Sequence, residues 1–275
     1  VVLMMLIAVA SLIFLVDIVS GFVLRNAASN LDLSVSTLMG ELRNANADDL
    51  MIPMTMMAER PVVWILALAM AAWLLVWRGW RVAVLMIVTM GIAEFISINL
   101  NRFVSASDHA ISNTFISTPT LMAGLVFGFL AVLAGHSMGR WSKAVVAAIC
   151  GSIVVAIAFS RIYLGAELLS GVLSGGLLAL VLSSLFGMAI EAIPSRRIRP
   201  LGLVAVASMV FVTTGYLHYT TNSEKAEARY AAKPSILNFT TENWKQSGWS
   251  QLPLRRIDLA GAPEEPFIAQ WTGSL

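Results

Sequence analysis

Charge is what this chain has least of. Of its 275 residues only 12% are charged, while 58% are hydrophobic. A soluble domain carries about 25% charged and about 45–50% apolar residues, so a soluble globular enzyme is excluded. Mean hydropathy is +0.79, and so apolar a chain is not disordered either. The net charge of +2 is too small to point to nucleic acid, and no nucleic-acid partner is expected. Cysteine is almost missing: Cys150 stands alone in an apolar run. It can form no internal disulfide and says nothing about redox compartment. The chain opens at Val1 inside a hydrophobic stretch, without a basic n-region; it is expected to be a trimmed or partial chain rather than one that starts with a signal peptide.

What the chain has instead is long apolar runs. Seven stand out, at roughly 1–24, 61–77, 82–100, 121–135, 143–160, 171–190 and 201–219. Each has the length of a helical span, since about 20 apolar residues cross a bilayer at 1.5 Å per residue. The expected fold is therefore an all-α polytopic membrane bundle: six spans within residues 1–200, a seventh span at 201–219, and an extramembrane tail at 220–275. Between the first two runs, Leu31, Val35, Leu38, Met39 and Leu42 share one helical face, with Asp32, Ser34, Ser36 and Glu41 elsewhere. That period fits a short helix lying on the membrane surface.

Loop charge sets the expected orientation. Segments 78–81, 136–143 and 191–200 hold seven Lys or Arg in 22 positions, against five in the 66 positions of 25–60, 101–120 and 161–170. The dense side is expected to be cytoplasmic, and Trp77, Trp80 and Trp141 gather there as an interfacial belt would. This places the N-terminus inside, and the loops at 101–120 and 161–170 and the tail outside, which is the periplasm of a Gram-negative cell. Asp17 and Glu94 fall inside spans, toward their outer ends. Carboxylates at such depth are functional candidates by default, although water or local hydrogen bonds also satisfy them. His136 and His218 read as interfacial histidines, and Gly124/Gly128 and Gly171/Gly175 as small-residue pairs that let helices approach.

The most specific segment is Ser160-Arg-Ile-Tyr-Leu-Gly-Ala-Glu-Leu-Leu-Ser-Gly-Val-Leu-Ser-Gly175. It resembles the third signature of the type 2 phosphatidic acid phosphatase superfamily, the integral-membrane lipid phosphate phosphatases. Ser160, Arg161, Tyr163, Leu164, Gly165, Val172, Leu173 and Gly175 fit; Glu167 stands at the histidine position and Gly171 at the aspartate position. Ser117-Thr-Pro-Thr-Leu-Met-Ala123 occupies the place of the second signature, where Pro119 fits and Thr120, Leu121 and Met122 replace Ser, Gly and His. In place of the first signature stand Asn101 and, after six intervening residues, Asp108-His109. The likeness covers residues 1 to about 200. Tail residues Asn243 to Trp249, Leu252 to Gly261, Pro266 and Gln270-Trp271 are similar to the start of an LssY-type C-terminal domain, which supports a bacterial inner-membrane origin.

The resemblance implies a histidine nucleophile, an orienting aspartate, a general-acid histidine, and Lys/Arg groups around phosphate. Only Arg161 remains of these, as a phosphate-binding group. The family's Lys, two Arg and Asp sum to +2, whereas Asn101, Asp108, Arg161, Glu167 and Gly171 sum to −1. At about 5 Å and an effective dielectric near 20, each unit-charge pair is worth roughly 3 kcal/mol, so the changed signs argue against tight phosphate binding. Three readings follow. The chain is a catalytically degenerate relative that acts as scaffold, accessory subunit or lipid-binding protein, with Arg161 paired to Glu167 or Asp108. Or Asp108, His109, Arg161 and Glu167 form a rewired phosphatase site. Or Asp17 and Glu94 serve transport. The expected partners are membrane lipids and other membrane subunits, contacting the spans or the tail; no cofactor and no metal site is expected.

Overall fold

The computed structural model describes residues 2–25, 30–106, 115–135, 138–192, 199–231, 255–257 and 263–266. They fall into two compact units, Val1–Ala231 and Ala232–Leu275. The first is all-helical: α1 (Val2–Arg25), α2 (Asn30–Leu42), α3 (Ala45–Met56), α4 (Arg60–Val76), α5 (Trp80–Ala106), α6 (Thr118–Gly135), α7 (Arg140–Tyr163), α8 (Leu169–Ala192) and α9 (Pro200–Tyr230). In the second, β1 (Arg255–Ile257) pairs antiparallel with β2 (Pro263–Pro266). The remainder of the tail, including the Asn243–Trp249 segment of the LssY likeness, lies outside the described residues.

Among the described residues, five helices have the length and apolarity to cross a membrane: α5 through Arg102, and α6, α7, α8 and α9 in full. α3 and α4 together make a sixth, bent by 47° at the break between them. α1 adds a shorter apolar stretch, Val2–Ile18, laid along α8. The chain is thus a multi-pass membrane protein with a helical bundle fold. Two differences from the seven expected spans stand out: the apolar stretch of α1 is shorter than 1–24, and the expected span at 61–77 is joined to α3 as a bent pair.

α6 is the central helix. It is apolar all round, as a helix surrounded by others must be, and it packs against α4, α5, α7, α8 and α9. Its start is built by Ser117, Pro119 and Thr120. Ser117 Oγ accepts a hydrogen bond from Thr120 N (3.2 Å) as an N-cap, and Pro119 occupies the first turn, where a missing N–H leaves nothing unpaired. Two glycines let α8 come close. A Cβ on Gly124 would lie 2.6 Å from Ala179 Cβ, and one on Gly128 2.3 Å from Ser183 Oγ. On α8 itself, a Cβ on Gly175 would lie 2.6 Å from the Ser117 carbonyl oxygen.

Two local elements depart from the sequence reading. The segment 45–56, which carries no long apolar run, is a helix begun by Asn44, whose side chain accepts from Ala47 N at 2.9 Å. And α9 does not stop at 219 but continues to Tyr230. On α2, Leu31, Leu38 and Leu42 are exposed, while Asp32 is buried. Ser34, Ser36 and Glu41 are exposed as well, while Val35 and Met39 are half-buried, with Met39 packed against the cluster that holds Ile52 and Met56.

Candidate functional site

The site forms where α7 ends. α7 closes in a Schellman turn: Ala166 N donates to the Arg161 carbonyl and Gly165 N to the Ile162 carbonyl, both at 3.0 Å. Gly165 sits at φ +63°, a conformation glycine adopts without a Cβ clash. The turn sends the chain back over the last turn of α7 and brings Glu167 onto Arg161. Arg161 Nη2 donates to Glu167 Oε1 at 2.9 Å, and the side chains are 11% and 4% exposed. Arg161 Nη1 donates to Thr55 Oγ1 of α3 (3.2 Å) and to the Tyr230 hydroxyl of α9 (3.0 Å). Arg161 Nε and Glu167 Oε2 are buried and make no hydrogen bond among the described residues.

A second arginine approaches from the α2–α3 junction. Arg43 Nε donates to both carboxylate oxygens of Asp48 at 3.1 Å, and its Nη2 donates to the Tyr230 carbonyl. Asn44 N donates to the Tyr163 hydroxyl at 2.9 Å. Ile52, Met56, Tyr163, Leu164, Ala226 and Tyr230 close over these groups as one apolar cluster. Two arginines and two carboxylates thus sit together with no net formal charge.

The other predicted positions have structural employment. Asn101 clamps the start of the α6 loop: its Nδ2 donates to the Ile116 carbonyl and its Oδ1 accepts from Ile116 N, each at 2.9 Å. Thr120 receives the Ser117 hydroxyl at 2.7 Å. Met122 is buried in the core cluster and has no proton to give. Gly171 offers only its carbonyl, which accepts from Ser117 N at 2.9 Å. Asp108 and His109 lie outside the described residues, as does His136. Glu94 is not an isolated charge in its span: Arg60 Nε lies 2.8 Å from its Oε1, and Trp64 Nε1 donates to its Oε2 at 2.9 Å. Asp17 is exposed on α1, the helix that packs on α8, so the two intramembrane acids belong to different surroundings. His218 pairs with Glu59 at 2.7 Å.

Sequence reasoning missed Asp32, Arg43, Thr55 and Tyr230. Asp32 reaches across from α2, and its Oδ1 accepts from Ser170 N at 2.8 Å. It places negative charge at the N-terminus of α8, where the helix dipole favours it. The Asn44 cap was the one readable signal in this group, since it announces α3. Among the described residues no three His, Cys, Asp or Glu side chains gather closely enough to hold a metal ion.

Between α6, α7 and α8 opens a groove of about 440 Å³, with Val155, Leu173 and Leu180 of its lining exposed. Its walls are small and apolar, among them Ala147, Cys150, Gly151 and Ala158 on α7, and Leu173 and Gly176 on α8. It runs from Thr120 to Ala131 along α6, a length of about 16 Å at 1.5 Å per residue. At Gly151 and Gly176 nothing lies within 4 Å of where a Cβ would be, so tight helix contact does not account for these two glycines.

This arrangement of membrane helices, with a short helix before the bundle and polar groups where one span turns into the next, is a known architecture. Comparison of the sequence with family models and with curated proteins finds no match. Among solved structures, the first transmembrane PAP2-type phosphatidylglycerolphosphate phosphatase, from Bacillus subtilis, matches with a TM-score of 0.59. The match covers 69% of this chain and 98% of that one, at 22% identity. The fold is that of a PAP2-type membrane lipid phosphatase.

Proposed function

We propose that this protein is a catalytically silent relative of the membrane lipid phosphatases. In this reading it binds membrane lipid and serves as an accessory or scaffold subunit. One observation carries the reading: the arginine that would hold phosphate is buried and already paired with Glu167, at the position where the family's histidine would stand. Phosphoryl transfer needs a nucleophile and cationic groups around the transferring phosphate. Here the carboxylate neutralises Arg161 and would repel a phosphate monoester, and Met122 has no proton for a leaving group. Among the described replacements, Glu167, Asn101, Thr120 and Gly171 each have a hydrogen-bond partner, which argues for a settled structure rather than an impaired enzyme.

The apolar groove between α6, α7 and α8 supports the lipid-binding part. Its walls are apolar and it is open to the outside, so in a bilayer the group that packs into it is a hydrocarbon chain. Loop charge supports a cytoplasmic N-terminus, with the Arg161 site and the tail on the opposite face; the LssY-like tail supports a bacterial inner membrane, where that face is periplasmic. Native mass spectrometry of the protein released from lipid nanodiscs tests this. The expected result is co-purifying lipid that Gly176→Leu, filling the groove, reduces; wild-type protein free of retained lipid would count against it.

A further inference from the structure

α9 runs farther than a membrane span needs. It has 31 residues, where about 20 cross the hydrocarbon core. Its end is not free. Tyr230, the last helical residue, is buried, with its hydroxyl on Arg161 and its carbonyl on Arg43. One turn earlier Ala226 is buried in the same cluster as Ile52 and Met56 of α3. His218, three turns back, and Arg229, next to Tyr230, both reach Glu59, at the α3–α4 break, at 2.7 Å and 3.5 Å. One aromatic side chain therefore caps the guanidinium that closes the site, and a row of polar clasps ties the helix to α3 and α4.

We infer that the last turns of α9 are a removable latch over the Arg161–Glu167 site, with Tyr230 as the bolt. Three features make it removable. The bolt is held by hydrogen bonds and one small apolar cluster, rather than by the large core that surrounds α6. Arg161 keeps Glu167 and Thr55 when the phenol leaves, so opening strands no unpaired charge. And the chain passes from the bolt directly into the second unit at Ala232. The residue that closes the site is therefore two positions from the boundary with the second unit. Withdrawal of Tyr230 uncovers Thr55, which is fully buried in the latched form, together with the unpartnered Arg161 Nε and Glu167 Oε2. This rests on the reading of Arg161–Glu167 as a closed remnant site, but not on whether that site hydrolyses anything.

The test is thiol accessibility in the full chain, in lipid nanodiscs. Cys150 is replaced by Ala, and Thr55→Cys supplies the only thiol, to be labelled with a water-soluble maleimide. The latch predicts slow labelling with Tyr230 intact and labelling about tenfold faster or more with Tyr230→Ala, since a buried thiol reacts only through the open population. Glu59→Gln, which releases His218 and Arg229, gives an intermediate rate. Equal rates in the three proteins would overturn the proposal. If Tyr230→Ala does not fold, Tyr230→Phe decides: it keeps the ring and removes only the bond to Arg161, so a rate unchanged from wild type refutes the latch and a severalfold rise supports it. Because the readout is labelling, hydrolysis by the wild type would defeat the proposed function and leave this result standing.

Discussion

Removing Glu167 should destabilise this protein more than any change on its lipid-facing surface. The side chains of Arg161 and Glu167 are 11% and 4% exposed, so solvent screens their interaction little. Taking away one member leaves an uncompensated buried charge, which costs about 3–5 kcal/mol. Glu167→Ala leaves Arg161 with only two neutral hydroxyls, Thr55 and Tyr230; Arg161→Met leaves the carboxylate with none of the partners described. Each single variant should lose about 6–20 °C in Tm, at about 2–4 °C per kcal/mol for a chain of this size. The double variant Arg161→Met/Glu167→Met should recover most of that loss, because apolar replacements of similar volume remove both desolvation penalties. Thermal unfolding followed in nanodiscs gives the four values. A Glu167→Ala variant as stable as the wild type would refute the buried pair. A double variant as unstable as the sum of the singles would show that each residue supports the fold through other partners.

Three further outcomes follow from the packing. Gly128→Ala would push a Cβ to 2.3 Å from Ser183 Oγ and should cost about 1–3 kcal/mol as overpacking; Gly151→Ala, with open space at its Cβ, should leave Tm unchanged. Asp32→Ala should cost about 0.5–2 kcal/mol by uncapping α8, visible as faster amide exchange at Ser170 and its neighbours, with Asp32→Asn milder. Asn101→Ala removes both side-chain bonds to Ile116 and should cost about 1–3 kcal/mol, since it leaves a part-buried N–H and C=O without partners; protease cleavage after residue 101 should then speed up.

The spans were legible because membrane insertion is a local property: about 20 apolar residues announce themselves wherever they stand. α5 to α8 lie close to where the apolar runs put them. α3 was not legible, because its first half carries Asp48 and Asp49 and the apolar stretch that follows from Leu50 is too short to cross a membrane and holds Pro53. The extension of α9 was missed for a related reason. Residues 220–230 are polar, and their helix is held by clasps to Glu59 and by Tyr230 on two arginines, all far away in sequence. Arg161 and Glu167 were both singled out, and their pairing was one of two expected outcomes. Thr55 and Tyr230 could not be foreseen, since nothing in a lone Thr or Tyr tells which distant arginine it will meet. Asp32 was read as part of a polar face and became a helix cap, because α8 starts beside it. Small-residue pairs were the most readable packing feature: Gly124 and Gly128 do hold α6 against α8.

The central claim is that the Arg161–Glu167 pair has replaced the family's chemistry. Phosphate release from phosphatidic acid and phosphatidylglycerophosphate, by the purified full chain in nanodiscs, tests it most directly, with Arg161→Ala as the control. The account predicts that wild type and Arg161→Ala release phosphate at the same background rate. Release by the wild type that Arg161→Ala abolishes would contradict it.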